Sequence, residues 1–220
     1  MSEGQAIAGL YGITDSTLLP GDALLRQSEI ALRAGLGILQ YRDKGGDARR
    51  RTREATALYA LCREYGALFV VNDDAELAAR IRAPALHVGR DDAPLAELRR
   101  HFGSSLCIGV SCYDDLERAE RAQAEGADYV AFGAFFPSAS KPDACRAPLS
   151  LLREARRRLR LPIVAIGGID ADNGGALISA GADALAVISA LFGAKDVAAA
   201  TRQLQALFVA SHGSPTSEES

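Results

Sequence analysis

The segment Ser179-Ala180-Gly181-Ala182-Asp183 runs directly into Ala184-Leu185-Ala186-Val187-Ile188-Ser189. A helix should stop at the glycine, which turns left-handed without a Cβ penalty. The apolar run that follows has strand length and ends on a polar residue, as a strand buried on both faces does. The same junction recurs at Glu125-Gly126-Ala127-Asp128 ahead of Tyr129, and at Arg33-Ala34-Gly35 ahead of Gly37. The chain therefore repeats one unit: helix end, glycine, strand.

Outward from these junctions, eight short apolar runs recur at residues 8–14, 37–43, 68–72, 85–89, 106–111, 129–135, 163–167 and 184–189. Between them lie stretches of helical period. Residues 47–65 keep Thr52, Ala55, Leu58, Tyr59 and Cys62 on one face; 94–102, 114–125, 150–159, 172–180 and 196–209 read similarly. Asp114, with Glu117 three residues on, has the form of a capping box. Gly66 marks a further helix stop. Strict alternation of strand and helix implies parallel strands with helical crossovers. Eight units in 220 residues favour a closed single (β/α)8 TIM barrel over residues 1–210. An open doubly wound sheet is the alternative. Residues 211–220 are rich in Ser and Glu, with Gly and Pro, and read as a disordered tail.

Composition narrows the function. Hydrophobic residues make up 48% and charged residues 24% of the chain, with a net charge of −3. That balance argues against a general nucleic-acid binder. Any positive field for an anionic ligand must be local. Four cysteines, Cys62, Cys107, Cys112 and Cys145, form no C-x-x-C pair, so free thiols in the cytoplasm are expected. Residues 1–6 carry no signal-peptide pattern. No apolar run reaches the ~18 residues of a membrane helix.

Gln40-Tyr41-Arg42-Asp43-Lys44 is the most informative polar stretch. Strand alternation puts Leu39 and Tyr41 on one face and Ile38, Gln40, Arg42 and Lys44 on the other. The outer face of a barrel strand is covered by helices and must be apolar. Gln40, Arg42 and Lys44 then point to the interior and its upper rim. Buried cations need partners, either an anionic ligand or internal salt bridges. The third strand ends in Asn72-Asp73-Asp74, where Asp74 suits a helix cap and leaves Asn72 and Asp73 for a site. The fourth ends in His87-Val88-Gly89-Arg90-Asp91-Asp92, where Asp91 or Asp92 can cap the helix near Pro94. Carboxylates beside a cation cluster that binds a polyanion call for a hard cation between them, and Mg²⁺ suits that chemistry. Ser111 ends the fifth strand. Ser138, Ser140 and Lys141 form a phosphate clamp or a solvated loop. Gly167-Gly168 and Ile188-Ser189 end strands seven and eight, the usual place for phosphate binding by backbone N–H groups. His87 reads as a hydrogen-bonded structural residue. No serine-nucleophile elbow, P-loop or dinucleotide fingerprint is present.

These motifs together resemble the thiamine phosphate synthase family. The resemblance runs from Tyr11-Gly12-Ile13-Thr14-Asp15 to Val187-Ile188-Ser189-Ala190 and rests above all on residues 40–44, 71–74, 87–89, 109–111 and 129–133. It implies a transferase joining 4-amino-2-methyl-5-(diphosphooxymethyl)pyrimidine to a (carboxy)thiazole phosphate, giving thiamine phosphate, diphosphate and CO₂. Gln40, Tyr41, Arg42, Asp43, Lys44 and Asn72 would bind the pyrimidine diphosphate. Ser111 and Lys141 would contact the same substrate, and Arg42, Lys44, Lys141 and Ser111 would be catalytic. Ser138, Ser140, Gly168, Ile188 and Ser189 would surround the thiazole phosphate. Asp73 and Asp92 would hold Mg²⁺. The implied partners are the two phosphorylated substrates, with no nucleic acid and no membrane; a homo-oligomer is compatible. Arg90 stands where the family often has Gln, and Ser138-Ala139-Ser140-Lys141 replaces Thr-x-Thr-Lys.

The implied mechanism is a dissociative substitution in which cations and metal stabilise the departing diphosphate. A thiazole tautomerase on the same barrel is one rival, but it would have no use for the metal and diphosphate cluster. A non-catalytic sensor of phosphorylated ligands that retains the pocket is another.

Overall fold

The computed structural model describes residues 7–137 and 147–211. Eight strands follow in chain order: β1 (Gly9–Ile13), β2 (Ile38–Tyr41), β3 (Leu68–Asn72), β4 (Ala85–Val88), β5 (Cys107–Tyr113), β6 (Tyr129–Phe132), β7 (Ile163–Ile166) and β8 (Ala184–Val187). Each pairs in parallel with the next, and β8 returns to β1, so the sheet closes as a barrel. This excludes the open-sheet alternative. The helices are α1 (Ala23–Arg33), α2 (Ala48–Glu64), α3 (Ala75–Ile81), α4 (Leu95–Phe102), α5 (Leu116–Ala124), α6 (Leu149–Arg158), α7 (Gly174–Ser179), the single turn α8 (Ser189–Phe192) and α9 (Val197–Ser211).

The repeated junction has a physical basis. Gly126 and Gly181 adopt φ of 92° and 113°, open only to glycine at low cost. The aspartate two residues later then ties the layers together. Asp128 accepts from the Ile108 amide at 2.6 Å and pairs with Arg99 of α4. Asp183 accepts from the Ile163 amide at 2.7 Å and pairs with Arg156 of α6 at 2.7 Å. Both carboxylates accept from an amide at the start of a neighbouring strand.

Strand alternation sorts the core into two layers. Leu39, Tyr41, Phe69, Val71, Leu86 and Val130 face the helices. Tyr11, Ile13, Ile38, Val70, Tyr129 and Ala186 fill the barrel interior. Asp74 caps α3 by accepting from the Leu77 amide at 2.8 Å, as expected. The capping box at Asp114 does not form: Asp115 is the cap, accepting from Arg118 N at 2.8 Å. The cause lies one step earlier, where Tyr113 turns left-handed at φ 58° and Asp115 N returns to the Cys112 carbonyl. Neither Asp91 nor Asp92 caps α4, whose N-cap is Pro94. Among the described residues, no helix is long and apolar enough to cross a membrane.

Candidate active site

Gln40, Asn72, His87 and Ser111 lie on the inward-facing rows of β2, β3, β4 and β5, at or near their C-terminal ends. The chain reaches Arg42 one residue past β2. Its backbone is pinned to β1, since Arg42 N donates to Thr14 Oγ1 at 2.9 Å and Thr14 Oγ1 in turn donates to the Arg42 carbonyl. The guanidinium is part-exposed, lies 3.6 Å from Asp15 Oδ2, and acts electrostatically on Asp73. Lys44 stands exposed in the turn that follows.

Asp73 turns left-handed at φ 62°, which aspartate tolerates better than most residues. This reversal lets Asp74 cap α3 while Asp73 faces Asp92. Asp92 is oriented by the Gly89 amide, which donates to its Oδ2 at 2.6 Å. Partial desolvation at the rim and the Asp92 carboxylate push the Asp73 carboxyl up to about 6. Asp73 as a whole residue is exposed at the rim. Asp91 is exposed beside the pair. Two facing carboxylates are hard oxygen donors in mutual repulsion, and they fit Mg²⁺, which takes one or two carboxylates and fills its shell with water and phosphate oxygens. Among the described residues, no cluster of three or more His, Cys, Asp or Glu offers an all-protein metal cage.

Two members of the 40–44 stretch are placed away from the rim. Tyr41 packs in the outer layer, where its hydroxyl donates to Glu54 Oε2 at 2.7 Å. The Asp43 side chain is only 3% exposed. It pairs with Arg50 and accepts from the Gly45 amide at 2.8 Å. Both therefore shape the turn that carries Lys44.

Gly168 and Ile188 lie at the ends of β7 and β8, next to Ser189, which opens α8. A Cβ on Gly168 would lie 2.3 Å from the Pro137 carbonyl, and one on Gly167 would lie 2.4 Å from Ala134 Cβ. The glycine pair is thus required by the close passage of the loop after β6, whose Phe136 amide donates to the Gly167 carbonyl at 3.0 Å. Ser138, Ser140 and Lys141 lie outside the described residues.

A polar chain beneath the rim escaped the sequence reading. Gln40 Nε2 donates to Tyr11 OH at 2.7 Å, Tyr11 OH and Tyr129 OH are 3.0 Å apart, Tyr129 OH lies 3.1 Å from His87 Nδ1, and His87 Nε2 lies 2.8 Å from Ser111 Oγ. Burial pushes the His87 imidazole down to about 4, and raises both tyrosines, so all three stay neutral near pH 7. The available signal was period-two alternation, which puts Tyr11 and Tyr129 on the inward rows. Arg118 was also missed: its guanidinium donates to the Ser111 and Gly89 carbonyls at 2.9 and 3.3 Å and ties β4 to β5. Arg90 stacks over the Tyr113 ring at 4.7 Å, which gives that departure a packing role.

A closed parallel barrel whose C-terminal rim gathers a cation, a carboxylate pair and inward polar side chains has the site placement of a (β/α)8-barrel enzyme. Comparison narrows the class. The family model for thiamine monophosphate synthase matches residues 10–191, and the chain belongs to that family. It is 58% identical over 205 residues to a thiamine-phosphate synthase of Acidithiobacillus ferrooxidans, covering 92% of this chain and 94% of the relative. It is 54% identical over 200 residues to one of Halorhodospira halophila, covering 91% and 94%. The structure of a thiamine phosphate pyrophosphorylase from Pyrococcus furiosus superposes with a TM-score of 0.85 at 35% identity, covering 94% of this chain and 98% of that one.

Proposed function

We propose that this chain is a cytoplasmic thiamine-phosphate synthase that joins the 4-aminopyrimidine diphosphate to a (carboxy)thiazole phosphate with Mg²⁺ held by Asp73 and Asp92. The observation that carries this is the facing Asp73 and Asp92 carboxylates beside Arg42 at the rim, in a chain of this family. A tautomerase needs no such pair.

The bond from the pyrimidine methylene to the bridging oxygen breaks, and its electron pair leaves with diphosphate. The aminopyrimidine ring delocalises the positive charge left on the methylene. Asp73 and Asp92 would hold Mg²⁺, which would supply charge neutralisation to the diphosphate. Arg42, held by Thr14, and Lys44, on the turn shaped by Asp43, stabilise the same departing charge from the β2 side. Gln40 and Ser111 orient the ring. Gly168, Ile188 and Ser189 hold the thiazole phosphate, so its nitrogen attacks in place and proximity lowers the barrier. A carboxylated thiazole loses CO₂ in the same turnover. No general base is needed, which agrees with a His87 whose two nitrogens are already engaged.

The test is an assay of purified protein with both substrates. Thiamine phosphate formed with Mg²⁺ and lost on chelation supports the proposal. Tight binding of both ligands without turnover would favour the sensor.

A further inference from the structure

The polar chain from Gln40 to Ser111 joins side chains of β2, β1, β6, β4 and β5 across the barrel interior. Its hydrogen bonds are not independent. A tyrosine hydroxyl has one proton to give, and a neutral imidazole has one donor and one acceptor nitrogen. Gln40 Nε2 donates to Tyr11. The arrangement that gives every buried donor in the chain an acceptor has Tyr11 passing its own proton to Tyr129, Tyr129 passing its proton to His87 Nδ1, and His87 carrying hydrogen on Nε2 and donating to Ser111 Oγ. The first link and the need to satisfy each buried O–H together select that direction.

The ends of the chain inherit that direction. With one Nε2 hydrogen given to Tyr11, Gln40 keeps its Oε1 carbonyl as an acceptor for the substrate. With its oxygen accepting from His87, Ser111 offers its O–H as a donor. We propose that Tyr11, Tyr129 and His87 are positioning residues that fix the polarity of Gln40 and Ser111, so that the site selects an amino-pyrimidine over an oxo-pyrimidine. The exocyclic amine donates to Gln40, and a ring nitrogen accepts from Ser111. A 4-oxo ring would set carbonyl oxygen against carbonyl oxygen at Gln40, leaving a buried acceptor without a donor. The geometry supports a directed chain over a passive polar core. Gln40 is 2% exposed, and Gly109 lacks a side chain at the position where Tyr129 passes, since a Cβ there would lie 2.0 Å from its ring.

The proposal rests on the functional reading above, and two measurements keep the two separable. The first needs no substrate: ¹⁵N NMR of histidine-labelled protein, with the His87 signals assigned by loss in His87→Gln. The Nε2–H tautomer is expected. The Nδ1–H tautomer, or a doubly protonated ring at pH 7, would mean the chain runs otherwise and overturns the proposal. The second is calorimetric binding of the 4-amino-pyrimidine diphosphate and its 4-oxo counterpart, with Mg²⁺ and without thiazole. Wild-type protein should prefer the amino form by about 100-fold or more, since a site built to hydrogen-bond one group rejects its mismatch strongly. Tyr129→Phe, and independently Tyr11→Phe, should narrow that preference by about tenfold or more while circular dichroism stays unchanged. Equal weakening of both ligands in both variants would reduce the chain to a structural core and sink the proposal. Wild-type protein that binds neither pyrimidine would overturn the functional reading and the ligand half of the proposal with it.

Discussion

Tyr129 passes so close to Gly109 that a Cβ at that glycine would lie 2.0 Å from its ring. The glycine on β5 thus makes room in the barrel interior for the phenol that links Tyr11 to His87. Gly109→Ala must displace a fully buried ring. Overpacking of this kind costs about 1–3 kcal/mol. For a chain of this size that lowers Tm by roughly 2–4 °C per kcal/mol. Turnover should fall as well, because His87 and Ser111 lose their alignment. A calorimetric Tm equal to wild type would contradict this packing.

Asp183 stands at the opposite end of the barrel from the site. Asp183→Ala removes the acceptor for the buried Ile163 amide and the partner of Arg156. An orphaned buried amide costs about 1–3 kcal/mol, and urea unfolding should register a loss of that order. The rate per folded molecule should stay near wild type. A stability unchanged within error would mean that water replaces the carboxylate.

Arg50 ties Asp43 and Glu54 together behind β2. Arg50→Ala should loosen the turn that presents Lys44 without touching substrate. Misplacement by about 1 Å at a reacting site can cost up to ~100-fold in rate. The expected result is a loss of tenfold or so in kcat/KM for the pyrimidine diphosphate. KM for the thiazole phosphate should hold steady, because its proposed contacts lie on β7 and β8. Equal loss for both substrates would point instead to general unfolding.

Much of the fold could be read from periodicity and glycine. The strands begin within about two residues of the expected runs, and β6 and β8 do so because helix stops at Gly126 and Gly181 precede them. Alternation correctly aimed Gln40 inward and Tyr41 outward. The outward aim of Tyr41, and the turn that buries Asp43, place both away from the rim although the family motif contains them. That distinction depends on Arg50 and Glu54, residues whose helical positions give no hint of a shared cluster with β2. The Asp114 cap shifted by one residue because a left-handed Tyr113 is invisible to propensity. The Gln40–Ser111 chain needs five strands in register, and no local pattern encodes that.

In the proposed mechanism Asp73 and Asp92 would share a divalent cation next to Arg42 as diphosphate departs. The most direct measurement is the rate of thiamine phosphate formation against Mg²⁺ concentration for wild type, Asp73→Ala and Arg42→Ala, each checked for native circular dichroism. The expected result is an absolute Mg²⁺ requirement in the wild type and a fall of about 100-fold or more in each variant, in the range seen when a single charge-stabilising donor is removed. Near-normal rates in both folded variants, or full activity in chelator, would contradict it.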